Sequence, residues 1–106
     1  MKQFDPKDPG AVDVIGFDFT EALGSESLSV SPAPTFDVSV VGSVPDAAAA
    51  AILHADPPVI AGKVVQKRVT GGINLANYYI RCTAQTNANR TLVLGGILPV
   101  RKSGRR

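Results

Sequence analysis

The chain has 106 residues, of which 44% are hydrophobic and 19% charged, and this composition is typical of one folded domain. Its formal net charge of +2 is too small to indicate a nucleic-acid-binding protein. The single cysteine, Cys82, excludes an intrachain disulfide and fits synthesis in a reducing cytoplasm. No apolar run approaches the roughly 18 residues of a membrane span, and MKQFDPKDPG lacks the apolar core of a signal peptide.

The first eleven residues predict an extended arm. Asp5-Pro6 and Asp8-Pro9-Gly10 favour turns, and each proline disfavours helical backbone at the preceding aspartate. The segment VDVIGFDFT then alternates and predicts a half-buried strand with Ile15, Phe17 and Phe19 on its inner face.

Short elements are predicted next. Residues 21–23 favour one helical turn closed by Gly24, and residues 27–30 favour a brief strand that ends before Pro32. TFDVSVVGS predicts another half-buried strand, with Phe36, Val38 and Val40 on one face.

The segment VPDAAAAAILHADPP departs from the β pattern. Asp46 is suited to cap a short helix over residues 47–54, packed through Ile52 and Leu53. The alternative is an edge strand or loop whose small side chains allow another chain to approach.

The C-terminal half predicts three strands over residues 63–70, 77–86 and 90–100. Gly71-Gly72 and residues 87–89 provide turns between them, which predicts a meander, and Gly95-Gly96 predicts a bulge or a close approach. Together with the N-terminal strands, this spacing predicts an all-β fold, a small antiparallel β-sandwich with at most one short helix.

Catalytic groups are sparse. Cys82 lies in mid-strand on the face of Tyr78, Ile80 and Ala84, where a cysteine usually serves as a small buried hydrophobe. His54, the one histidine, follows the alanine run and suits a surface or C-cap role better than catalysis. One Cys and one His cannot complete a zinc site. We therefore predict no catalytic, cofactor or metal site, and no enzyme.

A basic sheet face is a further possibility. Lys63, Lys67, Arg68 and Arg81 lie on the middle strands, and Tyr79 shares a face with Arg81. This arrangement would suit single-stranded nucleic acid on a β-barrel of the oligonucleotide-binding type. The other interpretation is a solvated outer face with cross-strand polar pairs, which we favour.

Two long segments carry a resemblance to a known family. KDPGAVDVIGFDFTEALGSESLSV and VVQKRVTGGINLANYYIRCTAQTNANRTLVLGGILPVR resemble the small fiber-tail adaptor proteins of tailed bacteriophages, over residues 6–31 and 63–101. Phe19 stands where that family commonly has Trp, and Asn89 stands where a Gly before the Arg is usual. We interpret the residues that match the pattern as fold-defining: Arg68, Gly71, Gly72, Tyr78 and Arg90.

The resemblance implies an immunoglobulin-like β-sandwich that assembles in multiple copies on the virion tail. The expected partners are portal, connector or tail proteins and the tail fiber, with a ring-like homo-oligomer in the particle and neither membrane nor nucleic acid. A capsid decoration or head-completion protein is the structural alternative.

We expect three parts in the chain: an N-terminal arm over residues 1–11, a single sandwich domain over residues 12–100 and a basic tail over residues 101–106. The arm and the tail are the expected docking extensions, although a basic tail is also compatible with a solvated terminus. The candidate interface residues are Phe4, Asp5, Pro6, Arg101, Lys102, Arg105 and Arg106.

Overall fold

The computed structural model describes residues 2–102 as two packed β-sheets with little helix. The strands are β1 (Lys2–Gln3), β2 (Val12–Asp18), β3 (Thr35–Val41), β4 (Val59–Ala61), β5 (Val64–Thr70), β6 (Asn77–Gln85) and β7 (Thr91–Pro99). The helical elements are α1 (Thr20–Leu23) and a 3-10 turn (Ala49–Ile52). Neither of these two elements, each four residues long, could cross a membrane, and no other helix occurs in residues 2–102.

The sheets have the strand orders β1-β7-β6-β3 and β2-β5-β4. All the pairings between these strands are antiparallel except that of β1, which runs parallel to β7. The prediction of an all-β sandwich is confirmed. The parallel edge strand was not expected, because two residues give no readable periodicity.

The core lies between the two sheets and is built from the alternate positions of their strands. Ile15, Phe17 and Phe19 face inward from β2 and the residue after it, as the alternation predicts. The inner face of β6 is also as predicted, with Tyr78, Ile80, Cys82 and Ala84 each at most 1% exposed. On β3 the predicted inner residues are only partly buried and pack against this core: Phe36, Val38 and Val40.

The hairpin β6–β7 is the most extensive pairing and is turned by residues 87–90. Asn89 adopts φ 62°, the left-handed conformation that asparagine tolerates better than most residues. Gly95 leaves room for the ring of Tyr79, because a Cβ at Gly95 would lie 2.7 Å from Tyr79 Cε1 and Cζ. The predicted close approach at Gly95-Gly96 is therefore confirmed, within a ladder that continues through both glycines.

The predicted meander is wrong, since β5 and β6 belong to different sheets. The chain leaves β5 through Gly71 (φ 66°) and Gly72 (φ 98°), and Leu75 also has a positive φ of 73°. Three left-handed residues carry the chain across the end of the sandwich instead of into a hairpin. Gly72 also has no space for a side chain, because a Cβ there would lie 2.8 Å from Val100 Cγ2.

Two local predictions for the middle of the chain need correction. The helix expected over residues 47–54 is shorter, a 3-10 turn whose buried residue is Ile52, and Leu53 already pairs with Val69 as an isolated bridge. The strand expected over residues 27–30 is reduced to one bridge between Leu28 and Thr86. In both places a contact with a distant strand sets the backbone, which local propensity does not reveal. The turn at α1 closed by Gly24 is confirmed.

Candidate interface site

The two ends of the described chain lie side by side. The backbone N–H of Phe4 donates to Ile97 O (2.8 Å), and that of Lys7 donates to Pro99 O (2.9 Å). The N–H of Arg101 then donates to Lys7 O (2.8 Å). The N-terminal segment is therefore attached along the edge of β7, and the described candidate interface residues, at positions 4–6 and 101–102, lie at one edge of the sandwich.

Phe4 holds the N-terminal segment in place through its side chain. It is 7% exposed and meets Phe17 edge to face, with 5.3 Å between ring centroids. Such an aromatic pair contributes about 0.5–1.5 kcal/mol beyond its buried area. Within this chain Phe4 therefore belongs to the core, whereas its neighbours Asp5 and Pro6 are exposed.

The C-terminal candidates are anchored to the loop that precedes β6. The guanidinium of Arg101 donates to Ala76 O (3.2 Å), Val100 O (2.8 Å) and Asn77 Oδ1 (2.9 Å). The backbone N–H of Lys102 donates to Asn74 Oδ1 (2.8 Å), and its side chain is exposed. Arg105 and Arg106 lie outside the described residues.

Lys7 is a buried cation that the sequence analysis did not single out. It is 1% exposed, and its Nζ donates to Asp8 O and Gly71 O, both at 2.8 Å. Burial lowers the pKa of Lys7, although the negative charges of Asp13 and Asp8 partly oppose this effect. Lys7 thus joins the N-terminal segment to the crossover after β5. A lysine followed by a turn gives no sequence signal for this role.

A cleft of about 260 Å³ separates the N-terminal segment from β2. Its lining residues come from both sheets: Gln3, Phe4, Asp5, Asp13, Val14, Ile15, Gly16 and Leu98. The side chains of Phe4, Ile15 and Leu98 lie buried beneath the cleft, the accessible lining is mainly polar, and the exposed Asp5 and Asp13 lie at its rim. Sequence analysis placed two of these residues, Phe4 and Asp5, at an interface but did not predict the cleft.

The basic residues of the middle strands do not form one face. Lys67 points inward, and its Nζ donates to the carbonyls of His54 (2.8 Å) and Asp56 (2.5 Å). Arg68 and Arg81 lie on the outer faces of different sheets, where they approach Asp56 and Asp37. Lys63 donates to Gly24 O. The four basic residues therefore do not form the single basic face that the nucleic-acid interpretation requires.

The reactive side chains in the described part of the chain do not form a catalytic arrangement. Cys82 is fully buried, and desolvation raises the pKa of its thiol to about 12. Nδ1 of His54 accepts from the N–H of Asp56 (3.1 Å), so the ring closes a local turn. No group of three His, Cys, Asp or Glu within residues 2–102 is placed to hold a metal ion.

A comparison with known protein families shows to which family this chain is related. Residues 7–98 match the family model described as the Podophage GP4 fiber-tail adaptor protein gp77. This chain belongs to that family. No curated protein and no solved structure matches the chain.

Membership of the adaptor family confirms the resemblance seen in the sequence and assigns the chain a structural role in the tail of a phage particle. The match begins at Lys7 and ends at Leu98, so it covers β2 to most of β7. The candidate interface residues lie just outside it, at positions 4–6 and 101–106. The family match therefore covers the scaffold but not the candidate interface residues.

The residues that carried the resemblance have structural roles in this adaptor. The guanidinium of Arg90 binds the carboxylate of Glu26 (3.0 Å) and the carbonyl of Ala22 (2.8 Å), which fixes the loop after α1 to the β6–β7 turn. Phe19 is fully buried and its N–H donates to Lys63 O (2.9 Å), so its aromatic ring is part of the core.

Proposed function

We propose that this protein is a non-enzymatic adaptor that joins the tail or connector ring of the particle to the tail fibers, assembled in multiple copies. The family match over residues 7–98 carries this proposal. The residue inventory is consistent with it, because the thiol is buried and the histidine is engaged in a turn. We further propose a ring-like homo-oligomer, since a tail is built around an axis and closed rings are a common solution for identical subunits.

We propose the paired chain ends as the docking region. Asp5 and Pro6 are exposed beside a segment that is already fixed by Phe4 and Lys7. Lys102 is exposed next to the anchored Arg101, and Arg105 and Arg106 continue the basic tail. A docking region fixed to a rigid sheet loses little conformational entropy on binding, which favours assembly.

Mass spectrometry of fractionated particles tests the proposed placement. Heads and tails are separated from purified virions, and the chain is quantified in each fraction against the major capsid protein. We expect the chain in the tail fraction, in several copies per particle. Its absence from virions would refute a structural role, and recovery with heads alone would refute the tail placement in favour of capsid decoration.

A further inference from the structure

The cleft between the N-terminal segment and β2 is lined by two strand edges. The Val14 N–H donates to the Oδ1 of its neighbour Asp13 (2.9 Å), whereas the Phe19 N–H donates to Lys63 O on the β5 side. Because backbone groups alternate sides along an antiparallel strand, those of Val14 and Gly16 point away from β5.

The opposite wall has the same property. Phe4 N–H points to Ile97 O on β7, so the backbone groups of Gln3 and Asp5 point to the other side. Gln3 and Asp5 line the cleft together with Val14 and Gly16. Each wall therefore offers peptide N–H and C=O groups, and the accessible lining of the cleft is mainly polar.

The sheet edges at β3 and β4 are less accessible to an added strand than the edge of β2. β4 has only three residues, which is too short to recruit another strand readily, and the 3-10 turn Ala49–Ile52 packs against β3. β2 has seven residues, and the Asp13 carboxylate accepts a hydrogen bond from the Val14 N–H at this edge. The edge of β2 is thus the one best suited to strand addition in the described chain.

The shape and charge of the cleft define its occupant. A volume near 260 Å³ is below the range of about 300–1,000 Å³ that holds a drug-sized ligand, whereas an extended peptide only has to run through it. Exposed backbone groups recognise another backbone, and this mode of recognition suits a cleft whose lining is mainly polar. Asp5 and Asp13 are exposed at the rim, and none of the described lining residues is Lys or Arg.

We propose that this cleft binds an extended segment of a partner virion protein by β-strand addition to β2, with a Lys or Arg of that segment facing Asp5 and Asp13. The class of partner rests on the proposed function, whereas the mode of binding rests on the cleft alone. An added strand would join the two sheets at their open side, and the exposed Val12 and Val14 would extend the contact on the outer face.

The test uses the purified full chain and overlapping synthetic peptides that tile the virion proteins of the phage, each longer than a typical strand of about 6 residues. Binding is measured for the wild type, for Asp5→Asn with Asp13→Asn, and for the control Asp37→Asn. Asp37 is a strand aspartate on the exposed face of β3. We expect the binding peptides to be basic and extended. Each rim carboxylate that is removed should lower the affinity of these peptides roughly two- to five-fold, and the control substitution should leave the affinity unchanged.

Amide hydrogen exchange then locates the bound segment. A saturating peptide should slow exchange at Gly16 at least about ten-fold, whereas the amides of β4, the other edge of the same sheet, should be unchanged. Peptides that bind without protecting Gly16 would overturn the proposal, as would equal affinity for the wild type and the rim variant, or no binding peptide at all. Protection of Gly16 that rises with protein concentration alone would identify a second copy as the occupant and would also overturn it. Absence of the chain from virions would refute the proposed function but not strand addition by the cleft.

Discussion

The hydroxyl of Tyr78 is the polar centre of an otherwise apolar strand face, and its removal gives a sharp test of the fold. Tyr78 Oη donates to Asp46 Oδ2 (2.7 Å) and accepts from the N–H of Ile73 (2.9 Å). Asp46 lies before the 3-10 turn, and Ile73 lies in the crossover between the sheets. One buried hydroxyl therefore connects two loops that are distant from each other in the sequence.

Tyr78→Phe removes both hydrogen bonds and keeps the buried ring. A hydrogen bond to a charged group contributes about 1.5–3 kcal/mol, and a buried N–H left without a partner costs about 1–3 kcal/mol. Relaxation of the partly buried Asp46 toward water recovers part of this loss. We therefore expect the free energy of unfolding to fall by about 2 kcal/mol, with a drop in Tm on the order of 10 °C.

Tyr79→Phe is the matched control, because Tyr79 is adjacent and its hydroxyl makes no hydrogen bond to residues 2–102. Urea denaturation followed by circular dichroism measures both variants, and the control should change stability by less than about 0.5 kcal/mol. Equal stability of the two variants would refute the assigned hydrogen bonds. A large loss in the control with none in Tyr78→Phe would show that the two faces of β6 are exchanged.

Three further predictions concern the chain end, the glycine contact and pH. Phe4→Ala should cost about 3–5 kcal/mol of unfolding free energy and speed amide exchange in the N-terminal segment; an effect below about 1 kcal/mol would show that Phe4 is not a core residue. Gly95→Ala should destabilise by about 1–3 kcal/mol in urea unfolding because of the ring of Tyr79, and the cost should vanish in a Tyr79→Ala background; an unchanged cost there would exclude this contact. Hydrogen bonds from Arg90 lower the pKa of Glu26, so its stabilisation is present at neutral pH and is lost as the pH falls through that lowered pKa; Glu26→Gln should make stability less dependent on acidic pH, and an unaltered profile would contradict the assignment.

The strands with clear alternation could be predicted from sequence. In β2 and β6 apolar residues recur at every second position, and one inner face per strand is the way to bury them. The left-handed Asn89 and the close contact at Gly95 were also readable, because few residue types suit those positions. These features depend on residues that are neighbours along the chain or across one hairpin.

The sheet membership of β5 and the attachment of the N-terminal segment could not be predicted in the same way. A glycine pair permits a hairpin and a crossover equally, and the packing of Gly72 against Val100 selects the crossover. Lys7 and Lys67 look like surface residues in the sequence. Both are buried because carbonyl groups from distant loops accept hydrogen bonds from their ammonium groups. The cleft was missed for the same reason, since its walls are brought together only by the parallel pairing of β1 with β7.

A three-dimensional reconstruction of the intact particle is the most direct test of the tail-adaptor role. The account predicts several copies of this β-sandwich around the tail axis, between the tail or connector ring and the fibers, with density for a partner strand beside β2. Copies distributed over the capsid shell, or a tail without this fold, would contradict it.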